Sequence, residues 1–242
     1  RSSAVFFTYG PSSNSNDGAR CAKAEIVVSD EIDFGDAPDS YGSTFASGGA
    51  RHGISPLHLG SIVDGESEAY VHPLSDDLSD ESNDDDGITF PTGFDIGNSA
   101  LIIANASASG GYLNAWIDWN GNGTFQDDER IADGLVMNEG SNTVTFDTPI
   151  WAAPGDTWAR FRISNIADIG PSGGVSNGEV EDYPVTVTES GVTTTHYPSA
   201  DSYTSFAFED QFPELADFDM NDVLMNVRFT EYVKDGQVIR LK

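Results

Sequence analysis

Apolar and polar positions along the chain alternate with a period of two over short runs, and no stretch of a dozen residues carries an i, i+3, i+4, i+7 apolar stripe. The strand-like runs are 4–9, 25–28, 101–104, 113–118, 143–146, 158–164, 184–187, 203–208 and 223–232, with a further one at 237–241. All are rich in β-branched or aromatic residues and are separated by Gly, Pro, Asn, Asp and Ser. This pattern predicts an all-β fold, an antiparallel β-sandwich or jelly roll with long loops, plus a partial second β unit at the C-terminus. Ala159, Phe161 and Ile163 alternate with Trp158, Arg160 and Arg162, and Val223, Met225, Val227 and Phe229 alternate with Leu224, Asn226 and Arg228. One face of each run is therefore expected to enter a core.

Between the runs, residues 11–20 are polar and turn-rich, 75–87 form an acidic loop, and a Thr- and Ser-rich shift at 189–199 marks a linker. The chain starts at Arg1 on a strand-like run, with no signal-peptide pattern, and reads as a slice of a longer polypeptide. The expected organisation is a segment 1–30 ending a preceding unit, a sandwich over 31–189, a linker at 190–202 and the start of another β domain at 203–242. No run of about 18 apolar residues exists to span a membrane.

Charge narrows the function classes. Of 242 residues, 11 are Lys or Arg and 40 are Asp or Glu, a net charge of -29, which argues against a surface that coats nucleic acid. The 14 Phe, 8 Tyr and 4 Trp supply the large apolar groups that disordered acidic chains lack. The single cysteine, Cys21, excludes an internal disulfide or a thiolate metal site. Asp outnumbers Glu by 27 to 13, on loops rich in Gly and Asn, and short carboxylates in such loops suit hard cations, calcium first.

The sharpest motif is Asp118-Trp-Asn-Gly-Asn-Gly-Thr-Phe-Gln-Asp-Asp-Glu129, which fits the calcium-loop template D-x-[DN]-x-[DN]-G-x5-E. Asp118, Asn120 and Asn122 supply short oxygen donors at loop positions one, three and five. Gly123 permits the sharp turn, the Thr124 carbonyl faces inward, and Glu129 closes the shell. With full charges on Asp118 and Glu129 alone, the expected dissociation constant is on the order of 10⁻⁵ to 10⁻³ M. A strand, not a helix, leads into the loop, so a calcium loop grafted between β elements is expected. The competing reading is an Asn-Gly turn with an acidic rim.

Two further carboxylate groups qualify as cation candidates. Glu209, Asp210, Asp217, Asp219, Asn221 and Asp222 form a second set, unless they cap turns through hydrogen bonds to the backbone. Asp33, Asp36, Asp64, Glu66, Asp84, Asp86, Glu179 and Glu181 form a third, unless they pair with Arg51, Arg160 and Arg162. So many like charges on one body repel, and bound cations remove that penalty.

Enzyme signatures fail on context. Gly174-Val-Ser-Asn-Gly178 fits G-x-S-x-G, but the following Glu-Val-Glu-Asp-Tyr-Pro is no helix of a nucleophile elbow. His52, His58, His72 and His196 contain no zinc-type pair, and His52 reads as a packed histidine beside Asp33 or Asp64. With 40 acids, a glycosidase-like carboxylate pair has no discriminating power. The chain is expected to be non-catalytic.

Several of these motifs occur together in order: Asp33-Phe-Gly-Asp-Ala-Pro-Asp-Ser-Tyr41, Ala50-Arg-His52, Leu59-Gly60 followed by Val63-Asp64, Asp84-Asp-Asp-Gly87, Leu113-Asn-Ala-Trp-Ile-Asp-Trp-Asn120, Ala159-Arg-Phe-Arg162 and Asn177-Gly-Glu-Val-Glu-Asp-Tyr183. Over about residues 33–187 the chain resembles the GEVED domain family of secreted bacterial proteins, with the name-giving pentapeptide Gly178 to Asp182 intact. It departs from the family at Val63-Asp64-Gly65-Glu66, a variant of a commoner Val-Asp-x-Glu. Phe206-Ala-Phe-Glu-Asp-Gln-Phe-Pro213 and Asp217-Phe-Asp-Met-Asn-Asp-Val223 resemble the opening of an LruC-type domain. These resemblances imply a non-catalytic module of a multidomain protein, secreted or on the bacterial cell surface. Combined with the acidic loops, they lead to the expectation of a calcium-binding structural or adhesive module. One alternative is a carbohydrate-binding accessory module of a secreted hydrolase, with Trp116 or Trp119 as platform. The other is a subunit of an extracellular fibre or surface layer. Expected partners are neighbouring domains, other copies through terminal strands, and a glycan or cell-surface ligand.

Overall fold

Strands dominate the computed structural model, which describes residues 32–66, 68–72, 84–208 and 223–242. The strand-like runs at 4–9 and 25–28, Cys21, the segment 1–30 and most of the 75–87 loop lie outside the described residues. The elements are β1 (Ile32–Phe34), β2 (Arg51–Gly53), β3 (Ile88–Thr89), β4 (Phe94–Asp95), β5 (Ser99–Ala106), β6 (Tyr112–Ile117), β7 (Arg130–Val136), β8 (Gly140–Asp147), β9 (Gly155–Ser164), β10 (Gly174–Val175) and β11 (Glu179–Thr188). They are followed by β12 (Thr193–Tyr197), β13 (Thr204–Phe208), β14 (Val223–Val227), β15 (Phe229–Lys234) and β16 (Gln237–Leu241). The fold is all-β, as the period-two pattern predicts. Among the described residues no helix is long and apolar enough to cross a membrane.

A five-stranded sheet, in the order β4-β11-β9-β6-β7, and a three-stranded sheet, β3-β5-β8, share one hydrophobic core. Ile102 and Ala104 of β5 and Val144 of β8 meet Leu113 and Ile117 of β6, Phe161 and Ile163 of β9, and Val185 and Val187 of β11. Each fully buried aliphatic or aromatic side chain of this kind stabilises the fold by roughly 1.5–3 kcal/mol. Phe90, Phe94 and Trp119 close one end through edge-on ring contacts, with centroids 5.8 Å apart for Phe90 and Phe94 and 5.7 Å for Phe94 and Trp119.

The opposite face of the five-stranded sheet is also buried, which corrects the expectation that only one face of β9 enters a core. Arg160 and Arg162 are 0% exposed. The small sheet β1-β2-β10 and its loops cover them, and the guanidinium of Arg162 donates to the carbonyls of Gly170, Ser172 and Gly173. Period two marks the two faces of a strand but cannot tell solvent from a second, charged layer.

The C-terminal strands form a sheet β12-β15-β16 and a separate pair β13-β14. Strand β12 falls within the stretch that reads as a linker in sequence. Salt bridges from Lys234 to Asp95 at 2.7 Å and from Arg240 to Glu189 at 2.6 Å tie this part to the sandwich. Burial of one face over 223–229 is not observed: Val223, Leu224, Met225 and Phe229 are all exposed. Strands β13 and β14 pair only with each other, so no described layer covers them.

Candidate metal sites

The 118–129 loop leaves β6 at Asp118 and returns through a 310 turn, Asp127–Glu129, into β7. Its ends are anchored: the Asp118 amide donates to the Trp158 carbonyl at 3.0 Å, and the Asp118 carbonyl accepts Thr157 Oγ1 at 2.8 Å. Phe125 turns inward to lie against Tyr41, ring centroids 4.7 Å apart, in a cluster with Ala37 and Trp116. Asp118 and Glu129, the first and last residues of the template, are both fully buried.

Inside the loop, backbone amides orient the side-chain oxygens. Asp118 Oδ1 accepts the amides of Gly121 at 2.7 Å and Asn122 at 3.2 Å, and Oδ2 accepts that of Gly123 at 2.9 Å and the Tyr41 hydroxyl at 2.7 Å. Asn120 Oδ1 accepts the Asn122 amide at 2.9 Å, and Asn122 Oδ1 accepts that of Thr124 at 3.0 Å. Glu129 accepts the amides of Asn120 and Gln126 at 3.3 and 3.0 Å. Gly123, at φ +82°, makes the turn that a side chain would resist. Among the described residues no Lys or Arg makes a salt bridge to Asp118 or Glu129. Burial, aided by the charges of Asp118 and Asp128, pushes Glu129 up to about 7 against the lowering effect of its two amides. The donor set is all oxygen, which fits a hard cation. Sequence reasoning missed Tyr41, although it ends the Asp33 to Tyr41 motif.

The third carboxylate set divides in two. Asp33, on β1 opposite His52, Glu66 and Asp84 each offer an oxygen within 4.8 Å of one another. Around them, strand β11 has an open edge, because β4 pairs with it only at Val187 and Thr188. Carboxylates cap that edge: Asp33 Oδ2 accepts the Val180 amide at 2.6 Å and Asp85 Oδ1 that of Asp182 at 3.1 Å. Glu66 accepts the Phe34 amide at 3.1 Å, and Asp84 that of Asp64 at 3.1 Å. Glu179, fully buried, accepts the Leu59 amide with Oε2, whereas its Oε1 has no hydrogen-bond partner among the described residues. Burial, then the charges of Glu179 and Glu66, raise Asp33 well above the usual carboxylate range, and burial with the charge of Glu181 does the same to Glu179.

The remaining members have other roles. Glu181 accepts the amides of Asp86 and Gly87 at 3.1 and 2.7 Å and the Tyr183 hydroxyl at 3.2 Å, and burial pushes it up to about 8. Asp86 accepts the Ser61 amide at 2.8 Å. Asp36 and Asp64 do not belong to the close triad. The arginines proposed as pairing partners are engaged elsewhere: Arg160 bonds Asp182 bidentately at 2.7 Å through both Nε and Nη2, and Arg51 donates to the Gly49 carbonyl at 2.9 Å. Arg162 Nε donates to His52 Nε2 at 3.0 Å, so His52 is neutral and donates from Nδ1 to the Asn177 carbonyl at 2.9 Å. Burial, then the Arg162 charge, holds His52 well below its ordinary value. The second set, Glu209, Asp210, Asp217, Asp219, Asn221 and Asp222, lies outside the described residues.

Trp116 and Trp119 are 0% and 1% exposed, which removes both as sugar platforms. Instead, half-buried Trp158 lies against His72, with centroids 5.2 Å apart. Both line a cleft of about 450 Å³ with Pro38, Tyr41, Gly121 and Gly123, beside the 118–129 loop.

Residues 112–186 match the family model of the GEVED domain. The match runs from β6 through most of β11 and includes the 118–129 loop and the pentapeptide Gly178 to Asp182. No curated protein and no solved structure matches the chain.

Proposed function

We propose that this chain is a non-catalytic, calcium-stabilised structural and adhesive module of a secreted or cell-surface bacterial protein. Asp118, Asn120, Asn122, Thr124 and Glu129 hold the ion. The observation that carries this reading is the amide network of the 118–129 loop, which turns the oxygens of Asp118, Asn120 and Asn122 into one loop whose closing residue, Glu129, is buried. Asn120 Oδ1 and the two Glu129 oxygens each accept one of these bonds and keep a second lone pair for a cation. A site that exists only in the folded state contributes RT ln(1 + [L]/Kd), about 2.7 kcal/mol for millimolar calcium over a dissociation constant of about 10⁻⁵ M. Asp118→Ala removes most of that increment from the thermal midpoint; an unchanged calcium response would overturn the assignment of this loop. Exposed apolar side chains on β13 and β14, among them Phe206, Phe208 and Leu224, support docking onto neighbouring material, in line with the LruC-like opening.

The cleft at Trp158 favours a second reading, a carbohydrate-binding accessory module, because an aromatic face beside polar groups stacks well on a sugar ring. A glycan array run with and without calcium tests it. Binding that Trp158→Ala abolishes supports the reading, and silence across the array removes it.

A further inference from the structure

The carboxylates gathered at the open edge of β11 have no part in the 118–129 loop. Three of them, Asp33, Glu66 and Asp84, bring oxygens within 4.8 Å of one another, a span that donors at about 2.4 Å around one calcium ion occupy. A cluster of acids alone means little, since surface acids gather without ligands. Here a second observation points to a ligand: Glu179 is 0% exposed, and its Oε1 has no hydrogen-bond partner among the described residues. A buried carboxylate oxygen left unsatisfied is costly and rare. Asp33 Oδ2 accepts the amide of Val180, the residue that follows Glu179, so this buried carboxylate adjoins the triad. Among the described residues, the buried arginines of this layer are engaged elsewhere, Arg160 by Asp182 and Arg162 by His52 and three carbonyls.

We propose that Asp33, Glu66, Asp84 and Glu179 form a second calcium site, distinct from the 118–129 loop, that fastens the long connection between β2 and β3 onto the edge of β11. Each ligand comes from a different segment: β1, the stretch before residue 67, the stretch before β3, and the first residue of β11. The amides already bonded to these carboxylates are those of Phe34, Leu59, Asp64 and Val180, so the ion draws together chain that has little secondary structure of its own. The site also gives Glu179 a role separate from its neighbours, since Glu181 holds the amides of Asp86 and Gly87, and Asp182 holds Arg160.

The inference deepens the calcium reading but stands apart from the 118–129 loop, and the test separates the two. The full chain carrying Asp118→Asn, which disables the loop, is followed by amide hydrogen exchange in EDTA, in calcium and in magnesium. Calcium is expected to slow exchange at Leu59, Asp64 and Glu66, and magnesium is not. Adding Glu179→Gln keeps an acceptor for the Leu59 amide, removes a buried charge, and is expected to abolish the calcium effect while the chain stays folded in EDTA. If Glu179→Gln does not fold, the half-buried Glu66→Gln replaces it with the same expectation. Exchange at Leu59, Asp64 and Glu66 that calcium leaves unchanged, or that calcium slows equally in the folded Glu179→Gln or Glu66→Gln chain, overturns the site. Failure of the loop reading appears separately, as a calcium response of Asp118→Asn identical to that of the parent chain.

Discussion

Arg160 shows how a charged residue becomes core in this fold. Its side chain is 0% exposed, and every guanidinium nitrogen is engaged: Nε and Nη2 with Asp182, Nη2 also with Ser43 Oγ, and Nη1 with the carbonyls of Tyr41, Gly42 and Pro171. The arrangement pins the loop before β2 to the back of the five-stranded sheet. Removing the carboxylate while keeping its shape leaves a buried cation uncompensated, which typically costs about 3–5 kcal/mol. Asp182→Asn is expected to lose stability of that order in urea unfolding, and a loss below about 1 kcal/mol, the range of exposed pairs, would show that Asp182 does not carry the charge balance. Little of this was legible in the sequence. Arg160 and Arg162 alternate with apolar residues as solvent-facing side chains do, and their burial depends on strands of two or three residues, β1, β2 and β10, too short for any periodicity.

At the scale of elements, β11 links the core to the carboxylates at its open edge. Its C-terminal half supplies Val185 and Val187 to the core, and its N-terminal half supplies Glu179, Glu181 and Asp182 to the polar layers. Gly178, just before it, has φ +108°, and a Cβ there would collide with the carbonyl oxygen of Ile163 on the neighbouring strand and approach His52 Nδ1 at 2.9 Å. Backbone strain of about 1–3 kcal/mol and overpacking of similar size act together in Gly178→Ala. The expected loss is roughly 2–6 kcal/mol by urea unfolding, and a neutral substitution would contradict this geometry. The longer strands β5, β6, β8, β9 and β11 were readable from β-branched and aromatic alternation. Strand β7 was not, because Asp133-Gly134 breaks its pattern, and its pairing with β6 is correspondingly irregular in register. The 118–129 loop was legible because its spacing is local. The Asp33, Glu66 and Asp84 triad was blurred among eight acids, because its members meet only through tertiary contacts.

Over the whole molecule, a net charge of -29 is distributed on a body in which several carboxylates are buried rather than solvated. Self-repulsion opposes folding, and cations bound at defined places counter it. Stability itself is therefore the readout of calcium. The most direct test is the thermal midpoint of the full chain in EDTA, in millimolar calcium and in equimolar magnesium. A gain of about 2.7 kcal/mol corresponds to a rise of roughly 5–10 °C for a domain of this size, in calcium and not in magnesium. Equal midpoints in EDTA, calcium and magnesium would contradict the account.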